Sequence, residues 1–308
     1  MADHTADALL APRLTSAQAA ELASSAGLTE MGIRPPLGRY AAQVWQRRSF
    51  IWNLSASRAY SKNQGSYLGQ SWAVLRPMLD AAVYVIIFGF LFDSSAPGID
   101  NRAAFITIGT FTYTLFQTSV MSGLNSIPSN LQLIRSHRFP RAVVPLATVM
   151  TETVLFAPIL VAMLVITMVT GLLPGMGAVW PTWSWLLLPF AAVLLAIFSS
   201  GVAMFFARVG ARAPDIANAM PFILTLGRYA SGGMFLISAM IPEGAWYRPI
   251  LLHQPVAIYL ELFRAVFGNE SLIPMTPMLW LEAILWAVVV FVIGFLYFWR
   301  AEETYGRD

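Results

Sequence analysis

Four ionisable side chains, Arg76, Asp80, Glu152 and Arg228, stand inside apolar stretches of the chain. A charge at membrane depth is costly and generally marks a path for polar cargo. Arg76 and Asp80 are one helical turn apart, close enough to pair, or Arg76 snorkels back to the membrane surface along its aliphatic stem. Glu152 and Arg228 either pair across helices or leave Arg228 facing water. Aromatic rings accompany them: Tyr84, Phe88 and Phe92 recur every four residues, and Phe111, Tyr113 and Phe116 cluster in the next stretch. Flat aromatic faces can pack on the C–H faces of a passing molecule. Asp80, Arg228 and these six rings are therefore candidate channel-lining residues, with bundle packing or lipid contact as the alternative for each ring.

Two further groupings could bind rather than react. Ile134, Arg135, His137, Arg138, Phe139, Pro140 and Arg141 lie between apolar stretches, and Pro128 and Pro140 bracket room for a short rigid helix. An aromatic anchor among cations is the composition of a protein-interface hot spot; the alternative is an ordinary basic loop. Upstream, PLGRYAAQVWQRRSFIWNL places Tyr40, Val44, Trp45, Ile51 and Trp52 on one helical face, with Gln43, Gln46 and Arg47 on another and Arg48 beside them. Tyr40, Trp45, Arg47, Arg48 and Trp52 suit a helix lying in a membrane interface, or else one docked on a bundle.

Catalysis finds little support. His4, His137 and His253 are far apart, there is no cysteine for a thiolate metal site, and Glu243, Glu261 and Glu270 are scattered. No phosphate loop of the form G-x-x-x-x-G-K-[ST] occurs, and Lys62 is the only lysine. We expect no catalytic residue, no metal and no cofactor site in this chain. The net charge of +3 does not point to nucleic acid.

Positioning these residues falls to membrane helices. Of 308 residues 57% are hydrophobic and 11% charged, against about 25% charged in soluble domains, so lipid must solvate most of the surface. About 20 apolar residues cross a bilayer as a helix. Six such stretches run from Trp72 to Phe92, Ala103 to Gly123, Val143 to Gly171, Trp183 to Arg208, Ile216 to Ile237 and Pro277 to Trp299. Between them, fourteen Arg and Lys fall on one side and three on the other. Cytoplasmic loops carry the excess, so both termini are expected inside an inner-membrane, all-α protein. Pro242, Pro249 and Pro255 break the long connection before the last span into short re-entrant helices. Residues 1–37, with no apolar signal segment, read as a mobile cytoplasmic extension; 38–71 as an interface helix and linker; 72–308 as the six-helix domain. Within the extension a short helix from Ser16 to Ala26 is expected, stopped by Gly27.

Three segments carry a resemblance. In SYLGQSWAVLRPML the matching positions are Leu68, Gly69, Trp72, Leu75 and Pro77. In LQLIRSHRFPRAVVPL they are Leu133, Ile134, Phe139, Pro140, Arg141 and Pro145. In HQPVAIYLELFRAVFG they are Pro255 and Arg264, and the tail GFLYFWRAEETYG is similar as well. In this order, over roughly Leu37 to Asp308, the chain resembles permease subunits of ABC exporters for O-antigen, teichoic acid and related polysaccharides. It departs where Arg58, Tyr60 and Lys62 are not contiguous, and where Ala213 and Pro214 separate Arg212 from Asp215. The alanine-rich, lysine-poor style and N-terminal extension resemble actinobacterial members, above all the mycobacterial-type permeases for lipid-linked galactan. The resemblance implies a homodimer paired with two cytoplasmic nucleotide-binding subunits that hold ATP and Mg, with the loop from Ile134 to Arg141 as the contact. It also implies an undecaprenyl-linked cargo moved to the outer leaflet and an aromatic-lined conduit. Three alternatives stay open: an ion-coupled transporter using Asp80, Glu152 or Arg228 as a relay, a sugar-transferring membrane enzyme, and an exporter of drugs, small lipids or another glycolipid.

Overall fold

The computed structural model describes residues 35–62, 69–87, 99–136, 139–173, 175, 177–268 and 273–305, together with 15, 18, 21, 22 and 25. The chain divides into two compact units, Met1–Pro35 and Pro36–Asp308. In the first, Thr15 and Gln18 bond reciprocally: Thr15 N–H donates to Gln18 Oε1 at 3.1 Å and Gln18 N–H to Thr15 Oγ1 at 3.4 Å.

The second unit is all-helical among the described residues. Its helices are α1 (Leu37–Gln46), α2 (Arg48–Ser61), α3 (Trp72–Ile86), α4 (Arg102–Leu124), α5 (Leu131–Ser136) and α6 (Val143–Thr170). There follow α7 (Leu188–Arg212), α8 (Ile216–Ala230), α9 (Ile237–Met240), α10 (Arg248–Leu252), α11 (Pro255–Phe267) and α12 (Pro277–Trp299). Caps start several of them. Asn101 Oδ1 accepts from Ala104 N–H at 3.0 Å before α4, and Thr276 Oγ1 from Leu279 N–H at 3.3 Å before α12. Proline at the first turn of α7, α11 and α12 needs no N–H there.

α4 is the axis of the bundle and is buried on every side from Ala103 to Tyr113. α12 instead buries one stripe, Leu279, Ala283, Ala287, Gly294 and Phe298, and exposes Leu281, Leu285, Val288 and Val292. An apolar outer face of this kind belongs against lipid. Glycines set the close approaches: a Cβ on Gly201 of α7 would strike the backbone of α12 at Val290, and one on Gly294 would strike Gly201.

Val143–Thr170, Trp183–Arg212 and Pro277–Trp299 are long and apolar enough to cross a membrane. The other expected spans differ. The first is helical over Trp72–Ile86, and positions 88–98 lie outside the described residues. The second is 23 residues long but carries Thr, Ser, Gly and Gln. The fifth stops at Ala230 rather than Ile237, because the chain turns at Gly232 with φ 73°. The connection from Ile237 to Phe267 holds three helices, α9, α10 and α11, where a pair of short ones was expected. The connections around Asp100 and Gly177 meet at one end, where Gly177 N–H donates to Asp100 O at 2.9 Å.

Candidate functional site

α3 carries Trp72, Arg76 and Asp80 at successive four-residue intervals, so the three share one face. That face lines a cavity of about 290 Å³ closed by Phe111 and Thr118 of α4, Glu152 and Phe156 of α6, and Lys62 at the end of α2. Lys62 Nζ lies 3.4 Å from Glu152, which also accepts from Ser122 Oγ at 3.0 Å. Among the described residues no ion pair joins Arg76 to Asp80, and Glu152 is held by Lys62 rather than by Arg228. Thr118 Oγ1 donates to Thr114 O at 2.9 Å, which leaves its lone pairs free to accept. An aromatic face, two cations, two carboxylates and hydroxyl acceptors around one void can bind a polar, hydroxyl-rich chain without a metal.

The ring assignments divide. Phe111 lines the cavity although it is only 5% exposed. Tyr113 and Phe116 do not: Tyr113 is 1% exposed and donates to Leu224 O at 2.6 Å, and Phe116 stacks on Phe198 at 5.6 Å. Both rings pack inside the bundle, and the buried Tyr113 phenol finds its acceptor on α8. Arg228 sits in the last turn of α8; its guanidinium donates to Gln117 Oε1 and lies 5.5 Å from the centre of the Tyr113 ring. Tyr84 is in α3, its side chain outside the described residues, as are Phe88 and Phe92.

At the end of the bundle where α6 begins, three segments meet at an elbow. Tyr40 of α1 is 1% exposed and donates to Glu302 Oε2 at 2.6 Å, while its oxygen accepts from Ala142 N–H at 3.0 Å. Arg141 N–H donates to Glu302 Oε1 at 2.9 Å, and its guanidinium donates to the Glu302 carbonyl. Burial pushes the Glu302 carboxyl above the ordinary carboxylate range, opposed by the bonds from Arg141 and Tyr40. Burial, then the nearby Glu302 charge, holds the Tyr40 phenol well above its ordinary value.

The elbow corrects two expectations. The interface helix is not one amphipathic rod: it breaks at Arg47 into α1 and α2, and Tyr40 and Val44 turn inward while Trp45 (70% exposed), Arg48 and Trp52 stay outside. The basic loop is likewise divided. α5 forms, with Arg135 exposed, but Ile134 is buried, and the Phe139 ring packs 5.9 Å from Phe50 instead of projecting. Pro140 is half-buried, Arg141 points to the C-terminal segment, and His137 and Arg138 lie outside the described residues.

Sequence reasoning missed Glu302, whose only signal was an acidic pair in an arginine-rich side, and gave Arg264 no role. Arg264 is 2% exposed, donates to Gly232 O at 3.0 Å and Gly233 O at 2.9 Å, and stacks 3.6 Å from the Phe105 ring. Gly109 must lack a Cβ there, since one would collide with Arg264 and Gly233. The break after α8 is thus fixed by a guanidinium taking its freed carbonyls.

Residues 58–267 match the family described as ABC-2 type transporter. The chain is 27% identical over 253 residues to the O-antigen export system permease protein RfbA of Myxococcus xanthus, covering 81% of this chain and 93% of that one. A Klebsiella pneumoniae protein of the same name is 30% identical over 210 residues, 68% of this chain and 76% of the relative. The polysialic acid transport protein KpsM of Escherichia coli is 26% identical over 197 residues, 64% and 72% of the respective chains.

Proposed function

The chain belongs to the ABC-2 type transporter family, and on that premise we propose that it is the membrane permease of an ATP-driven polysaccharide exporter. The observation that carries this reading is similarity to an O-antigen export permease over 93% of that protein's length. The chain is a multi-pass membrane protein by its apolar helices. In our reading it has six spans with both termini in the cytoplasm, and two copies pair with two nucleotide-binding subunits that bind ATP and Mg. The cargo is an undecaprenyl-linked glycan, galactan on the strength of the actinobacterial resemblance, moved from the inner to the outer leaflet of the cytoplasmic membrane.

The chain's own residues then divide the work. Arg135 on the exposed side of α5 offers a cation to the partner. The elbow ties α5's exit to α1 and to the segment after α12, so that a push on α5 reaches three elements together. Trp72, Arg76 and Asp80 present stacking and hydrogen-bonding groups to sugar hydroxyls in the cavity.

The test is reconstitution with the nucleotide-binding subunit in vesicles loaded with lipid-linked glycan. ATP-dependent appearance of glycan on the far leaflet is expected, and Asp80→Asn should cut it severalfold. Transport that survives ATPase inactivation and collapses with a protonophore would replace this reading with ion coupling. Because cysteine is absent, single cysteines at Ser136 and Gly177 test the topology; labelling from one compartment would overturn it.

A further inference from the structure

A second cavity, of about 640 Å³, runs between α1 and α2 and the flanks of α6, α7 and α12. Its walls are apolar almost throughout. The hydroxyls on it are already committed: Thr153 Oγ1 donates to Val149 O at 2.9 Å and Ser200 Oγ to Ala196 O at 2.7 Å. Such a groove offers water no partners and stays dry. It opens outward past Ile197 and Val193, which are 36% and 50% exposed.

One end differs. There Arg48 and Trp45 form the rim, with the guanidinium 5.7 Å from the ring and Nη1 3.4 Å from Trp45 O. No acidic residue occurs from position 31 to 79, a stretch that holds all of α1 and α2, with Arg39, Arg48 and Arg58 in the helices and Arg47 and Lys62 at their ends. On α6 the lining runs from Leu146 to Thr153, about 10 Å of helix. One leaflet of hydrocarbon is roughly 15 Å deep. The groove is apolar along its length and has a cationic, indole-bearing mouth.

We infer that this groove holds one acyl chain of an anionic glycerophospholipid, with the phosphate at Arg48 and the chain lying along α6 and α7. The lipid then mortars the interface helices to the spans, and the positive mouth selects an anionic headgroup over a zwitterionic one. Only the leaflet depends on the proposed topology: Arg48 belongs to the cytoplasmic end in that reading.

The probe is native mass spectrometry of the detergent-purified complex, full chain with its nucleotide-binding partner, titrated with phosphatidylglycerol and phosphatidylcholine of equal chain length. Phosphatidylglycerol should be retained about fivefold more, as one cation at an anionic headgroup supplies. Arg48→Gln should erase that preference. Ile197→Trp should fill the slot and lower retention of both lipids, with Val193→Trp as a second filler if the first does not fold. Equal retention by the unaltered complex, a preference that survives Arg48→Gln, or unchanged binding in a folded filler overturns the inference. Displacement by polyprenyl phosphate at equal concentration also overturns it, assigning the slot to transported lipid. Glycan export is read separately: its absence with intact lipid selectivity counts against the exporter reading alone.

Discussion

The elbow and the charged cavity use the same residue types and treat them oppositely. At the elbow the Glu302 carboxylate is buried and accepts from Tyr40 and from Arg141 N–H, groups of its own fold. At the cavity, Lys62 and Glu152 meet at 3.4 Å with the Lys62 side chain 54% exposed, and Arg76 and Asp80 share the void without pairing. Charge satisfied inside the protein holds shape, since removing one partner strands the other away from water. Charge left facing a void is available to whatever enters it. The difference lies in access to water, not in composition.

The sharpest break of that contrast is Glu302→Leu. It strands the Tyr40 hydroxyl and the Arg141 N–H together, and should cost about 3 kcal/mol, read as a lowered unfolding midpoint in detergent. A cost below about 1 kcal/mol would place the elbow with ordinary surface charge. Next comes Tyr40→Phe, which keeps the ring against Phe295 at 5.7 Å but deletes the bridge between Glu302 and Ala142 N–H. About 1.5 kcal/mol should be lost. An unchanged midpoint would mean that packing alone seats α1.

The same contrast explains what the sequence made legible. The long apolar runs at Val143, Trp183 and Pro277 announce themselves because composition alone decides a helix whose surroundings are lipid. α4 was visible as a helix, yet its nearly complete burial was not, since Thr, Ser and Gly read as weak hydropathy where they mark close helix packing. On α3 the four-residue spacing put Arg76 and Asp80 on one face, because periodicity is local, but the pairing expected of them does not form among the described residues. Lys62 reaching Glu152 was not foretold, being set by how α2 packs across α6. Tyr40 was misassigned to the membrane for a similar reason. An amphipathic pattern tells which residues share a face and is silent on what covers it, and here Glu302, 262 positions away, covers it.

Acidity sharpens the elbow further. The Glu302 carboxyl titrates above its unfolded value because burial penalises its charged form. Folding therefore favours the proton. The stabilisation is complete below the ordinary carboxylate range and is lost as pH rises through the raised value. The unaltered protein should gain stability relative to Glu302→Gln when acidified across that window, by less than either substitution above costs. A parallel pH dependence in the two proteins would show that Glu302 keeps its ordinary affinity for protons, and hence that the elbow admits water.

The smallest effect is expected where the charges look most paired. A double-mutant cycle of Lys62→Met and Glu152→Gln should return a coupling of only about 0.5 kcal/mol, the worth of an ion pair with one exposed partner. Glu152 keeps the Ser122 hydroxyl when Lys62 is removed, so the single substitutions should be mild as well. Export should respond more than stability does, because a charge held loosely at the mouth of a cavity can exchange its partner for a passing hydroxyl at little cost. A coupling above about 2 kcal/mol would instead make Lys62–Glu152 a fixed strut between α2 and α6. The cavity would then be a second elbow, and the distinction between charge that holds and charge that handles would have to rest on Arg76 and Asp80 alone.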